Sequence, residues 1–152
     1  MDIDQKGWLI PAIAGWNVAF MRAPRRSWWD WLTHPDFRHV CAYGYDGQTE
    51  TWVVIDPVET HIQVRLLNDT SFAAWQIETS AATSWVLRVP VAQDRFAARS
   101  RIGLWCTTVV ANLLGVRSGA FRPQALFRDL LAAGAEVARD PDAGDEEGRR
   151  ER

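Results

Sequence analysis

Only two cysteines, Cys41 and Cys106, and three histidines occur among the 152 residues. Two cysteines cannot build a disulfide scaffold; one bridge or two free thiols stay open. The paired cysteine and histidine spacings of a structural zinc site are missing, so no metal is expected, and no cofactor either. An excess of one charge is also missing. The 17 basic and 19 acidic residues leave a net charge of −2 and a pI near 5.9. That balance excludes a strongly basic surface, and nucleic acid is not expected as a partner. A membrane-spanning run is lacking too. The apolar stretch Trp8 to Phe20 is broken by Pro11, Gly15 and Asn17, and a span takes about 20 residues. The opening MDIDQKGW lacks the positive region of a secretion signal, and Arg22, Arg25 and Arg26 follow the apolar stretch instead of preceding it. No signal peptide is read. Tyrosine is scarce, with two residues against nine tryptophans.

What is present suits one domain. The chain is 47% hydrophobic and 24% charged, close to the soluble globular average. Residues 139–152 (RDPDAGDEEGRRER) hold four arginines, six acidic residues and no large apolar side chain. Such a segment buries too little to offset its ordering entropy, and a disordered charged tail is expected. The expected division is a Trp/Arg-rich N-terminal arm at 1–36, a domain at 37–138 and the tail at 139–152.

Within these limits the local signals are readable. Ser27 caps a short predicted helix over SWWDWLTH, which Pro35 stops. Arg38–Tyr45 and Glu50–Asp56 are rich in β-formers, and Asp46-Gly47 between them is a hairpin signal. A third strand is predicted over Thr60–Leu66, and a cap at Asn68 to Ser71 precedes a helical piece around Phe72–Glu78. Trp85–Val91 reads as another strand, at an edge or ending at Pro90. Leu104–Leu114 is apolar nearly all round and predicts a buried helix closed by Gly115. A last helix starts at Pro123, repeats Leu126, Phe127, Leu130 and Leu131, and stops at Gly134. The expected architecture is α+β, a small antiparallel sheet with helices packed on one side.

Few residues can carry chemistry. Cys106 falls in the first turn of a predicted helix, where open amides and the dipole favour a thiolate. A thiolate nucleophile needs a base, and the base needs an orienting acceptor. The hairpin offers both. A four-residue loop Asp46–Thr49 makes His39 face Asp56, and a two-residue Asp46-Gly47 loop makes Asp56 its diagonal neighbour. In either register the two share a face, and a three-residue loop would reverse this unless a bulge restored it. The bland readings are a satisfied histidine, a turn aspartate before Pro57 and a buried cysteine.

The order His on a strand, a polar residue on the next strand, then Cys opening a buried helix resembles the circularly permuted papain-like fold of NlpC-type cysteine peptidases. The blocks WCTTVVANLLGV, FRPQALFRDLL, HVCAYGYDGQTETWVVIDP and WVLRVPV look like small papain-like proteins of tailed bacteriophages. The likeness covers Phe37 to Leu131, about two thirds of the chain. It implies a cysteine hydrolase with Cys106 as nucleophile, His39 as general base and Asp56 as third polar residue. It further implies an acyl-enzyme, a peptide or peptidoglycan substrate, and a place in a virion or the host cytoplasm. Trp105 would then wall the site. Two positions depart from the pattern: Ile102-Gly103-Leu104-Trp105 offers no polar oxyanion donor, and Ala111 stands where a basic residue is expected.

Other readings remain open at this level. His39, Cys41 and Cys106 could approach one another as zinc ligands, or the two cysteines could pair. The segment MRAPRRSWWDW sets Arg22, Arg25 and Arg26 beside Trp28, Trp29 and Trp31, residue types that dominate protein interfaces. An inert virion protein that keeps the fold and binds other virion proteins through this arm is the alternative.

Overall fold

A computed structural model describes residues 13–22, 35–58, 61–90 and 105–139. Its strands are β1 (Gly15–Met21), β2 (His39–Asp46), β3 (Thr51–Val58), β4 (His61–Leu67), β5 (Thr83–Pro90) and β6 (Glu136–Arg139). The helices are α1 (Asp69–Ser80), α2 (Cys106–Leu113) and α3 (Pro123–Ala132). All strand pairs are antiparallel, in the order β4-β3-β2-β1-β5-β6. The α+β expectation therefore stands at this coarser level. Among the described residues no helix is long and apolar enough to cross a membrane.

β1 corrects the expected domain boundary. Residues 1–36 were expected to form an arm outside the domain, yet Gly15–Met21 pairs with β2 on one side and β5 on the other. The reason lies in its burial on both faces. Trp16, Val18 and Phe20 point to one layer and Ala19 to the other, so the strand reads as an apolar run interrupted at Asn17, without alternation. Arg139 likewise belongs to β6, opposite Val86, and not to the tail. The predicted helix over SWWDWLTH and the rest of the tail lie outside the described residues.

A second correction concerns the layers. Helices cover both faces of the sheet, not one. On one face α2 and α3 bury Val110, Ala111, Leu126 and Leu130 against Trp16, Val18, Phe20, Val40, Ala42, Leu87 and Val89. Phe20, Phe37 and Phe127 meet edge-on there, with ring centroids 5.1 to 5.7 Å apart. On the other face Phe72 and Trp75 of α1 close over Ala19, Cys41, Tyr43, Val54 and Val86. Trp52 stacks on Phe72 at 3.9 Å, and its indole N–H donates to Asp69 at 2.8 Å. The β2 run His39–Asp46 is buried at nearly every position, which is the sequence trace of a strand covered twice.

The helix ends follow the local chemistry. The Asn68 side chain accepts from the Ser71 amide at 2.8 Å and caps α1. Gly115, with φ 65°, carries the chain out of α2, and Gly134, with φ 93°, does the same for α3, where the Ala135 amide returns to the Leu130 carbonyl.

Candidate functional site

The hairpin that positions two of the three candidate residues turns through residues 47–50. Asp46 holds it, accepting from the Gln48 amide at 3.0 Å and from the Thr49 hydroxyl at 2.8 Å, and Glu50 takes the left-handed conformation at φ 52°. The expected loops began at Asp46; in the structure Asp46 is the last strand residue and pairs with Thr51. That moves the register by two residues relative to the four-residue loop. Continued along the strands, it sets Asp56 opposite Cys41 and diagonal to His39, so the shared face survives the shift.

The paired ladder of β2 and β3 ends at Ala42 and Ile55, although the strands run on to His39 and Val58. Beyond that point β2 pairs with β1 and β3 with β4. Across this opening His39 Nε2 lies 2.7 Å from Asp56 Oδ1. Both side chains are about one-quarter exposed, enough shelter for a strong contact and enough access for a reactant.

Cys106 arrives from the opposite layer. It is the first residue of α2, partly buried against the α2/α3 core, with Trp105 as N-cap. Strict alternation assigns His39 and Asp56 to the face of Cys41 and Val54. The Cys106 thiol nevertheless acts on the His39 ring. Burial pulls the His39 pKa down; the Asp56 hydrogen bond and the Cys106 thiol outweigh it and raise the ring from 6.5 to about 9. His39 is therefore an imidazolium at neutral pH. It was expected as a base; in this resting state it is the acid partner.

The Trp105 side chain makes no cap hydrogen bond, so no N-cap oxygen occupies the first amides of α2. The first helical bond runs from the Val109 amide to the Trp105 carbonyl. The amides of Cys106, Thr107 and Thr108 precede it, as donors without an intrahelical partner. Trp105 itself is 61% exposed beside the thiol.

The remaining candidates separate. Cys41 and Cys106 are both free thiols. Among the described residues no group of three or more His, Cys, Asp or Glu side chains is arranged to hold a metal. Arg22 is tied into the fold, its Nε donating to Asp36 at 2.6 Å, while its amide donates to the Ala82 carbonyl. Arg25, Arg26, Trp28, Trp29 and Trp31 lie outside the described residues. A cavity of about 260 Å³ opens on the α1 face, between Asn17, Tyr43, Gln76, Thr83 and Arg139, and none of His39, Asp56 and Cys106 lines it. Sequence reading missed the β4 neighbours of Asp56; the register Asp56 to Gln63 was the signal that would have found them. No family model matches the chain, and neither a curated protein nor a solved structure matches it.

Proposed function

We propose that this chain is a cysteine hydrolase of permuted papain-like form, acting on peptide bonds through Cys106, His39 and Asp56. The observation that carries the reading is the convergence of three distant segments: a thiol opening a helix, a raised histidine and a carboxylate 2.7 Å from that histidine. A structural His–Asp pair accounts for two of these groups; the thiol at a helix start beside them is the part that acyl transfer uses.

The chemistry follows from the parts. Cys106, with its proton passed to His39, attacks a carbonyl carbon and forms a C–S bond. The carbonyl oxygen gathers negative charge, and the Cys106 amide at the helix start is placed to donate to it. The His39 imidazolium then gives its proton to the leaving amine, and the C–N bond breaks. Neutral His39 next takes a proton from water, whose oxygen displaces the thiolate and releases the acid. Asp56 fixes the ring and stabilises its charged form throughout. The resemblance to phage papain-like proteins points to peptidoglycan peptides or a virion protein as substrate, and to the virion or host cytoplasm as the place of action.

The test needs no substrate. Iodoacetamide should alkylate Cys106 well below pH 8, and His39→Ala should slow that reaction. Labelling confined to alkaline pH would overturn the hydrolase and favour the inert virion protein.

A further inference from the structure

We propose that Gln63, held by Arg65, is a positioning residue for Asp56, donating from its amide nitrogen to the Asp56 carboxylate through one water. The proposal rests on the hydrolase reading above and extends its polar row by one strand. In the β3–β4 ladder Gln63 is the residue directly opposite Asp56, and directly opposed side chains share a face with Cβ atoms about 5 Å apart. Arg65, two residues along the same strand and so on the same face, donates from Nη2 to Gln63 Oε1 at 2.8 Å. That bond fixes which end of the amide is the acceptor. The nitrogen, a donor with two protons, is left for another acceptor, and the Asp56 carboxylate is the acceptor the register sets across from it.

The effect is on His39. One Asp56 oxygen already lies on the ring; a donor from β4 would hold the carboxylate in the rotamer that makes this contact. The charged or titratable groups that act on the ring are Asp56 from β3 and Cys106 from α2; Arg65 on β4 acts on Cys41, two residues along β2 from His39. Beyond the Met21 partner on β1, the Arg22 guanidinium is held by Asp36.

Charge alone and positioning predict opposite signs. Deleting the Arg65 cation would by charge alone raise the His39 midpoint; losing a positioned Asp56 would lower it. The experiment is an NMR titration of the His39 ring in the full chain, assigned with His39→Gln. The wild-type midpoint is expected near 9, and Asp56→Asn should bring it towards the ordinary 6.5. Gln63→Met, neutral and similar in size, should lower it by about 0.5 to 1 unit, and Arg65→Met should lower it too. Arg65→Lys, which keeps a donor, should restore most of the shift. A midpoint unmoved by Gln63→Met, or raised by Arg65→Met, overturns the positioning role while leaving the dyad standing. Should Arg65→Met not fold, Gln63→Met decides alone. A wild-type midpoint at 6.5 that ignores Asp56→Asn overturns the hydrolase reading, and the positioning role with it.

Discussion

Cys41 and Cys106 are the same residue in opposite settings. Cys41 sits in β2, 1% exposed, its sulfur 3.8 Å from that of Met21. Burial drives its pKa up to about 12, helped by the charges of Asp56 and Cys106 and only partly offset by Arg65. Cys106 starts a helix, keeps partial exposure and faces an imidazolium. A strand covered by helices on both faces seals a thiol; a helix start presents one. Reactivity is thus assigned by the element and its neighbours, not by the residue type.

The strongest way to break this comparison is to alkylate both thiols at pH 7 and locate the adducts by mass spectrometry. Cys106 should carry the label and Cys41 none. Cys106→Ala should remove labelling and, under the proposed function, lower hydrolysis at least about a thousandfold, whereas Cys41→Ala should leave labelling intact. Equal labelling of the two would end the distinction.

A second experiment sharpens it from the sealed side. Phe72 stacks on Trp52 and packs with Tyr43 and Trp75 over Cys41. Phe72→Ala should cost about 3 to 5 kcal/mol by urea unfolding. Loosening α1 should expose Cys41 to alkylation and change the Cys106 rate far less. Cys106 packs with the other cluster, and its links to the α1 face run through His39 and the charge it shares with Cys41. A parallel fall at Cys106 would show that the two faces act as one unit.

Much of the site was legible in the sequence, and the reasons differ residue by residue. His39 and Asp56 were readable because alternation survives a two-residue register shift. Cys106 was readable because Gly115 and the apolar run delimit a helix whose first turn it must occupy. β1 was not readable: a central strand buried on both faces loses its period of two, and Gly15 and Asn17 look like breakers out of context. The second helical layer was missed for a related reason. Phe72 and Trp75 are the only buried side chains of α1, too few to mark which face the helix covers. The end of the β2–β3 ladder at Ala42 and Ile55 and the action of Cys106 on His39 are long-range properties that no local pattern encodes.

The charged partner of Cys106 makes a pH-dependent prediction. The folded-state pKa of His39, about 9, lies above its ordinary 6.5, so the fold prefers the protonated ring. This stability is complete below about pH 6.5 and is lost as pH rises through 9. By linkage the loss is roughly 2 to 3 kcal/mol. Urea midpoints should fall across that window in the wild type and stay flatter in His39→Gln. A wild-type midpoint constant from pH 6.5 to 9 would remove the imidazolium from the comparison.

The smallest effects separate the two helix starts. α1, on the Cys41 side, is closed by the Asn68 side chain; α2, which Cys106 opens, has no side-chain cap at Trp105. Asn68→Ala should therefore cost about 1 kcal/mol, and Trp105→Asn should gain about 0.5 to 1 kcal/mol by supplying the missing acceptor. With most of the Trp105 side chain in solvent, its removal costs little packing to set against that gain. The opposite signs are the point. On the hydrolase proposal, α2 forgoes a side-chain cap so that its first amides can serve a developing oxyanion, at some expense in stability, whereas α1 only packs. If Trp105→Asn proved destabilising, the open start of α2 would be explained by packing of the indole, and the physical argument for an oxyanion site there would be lost.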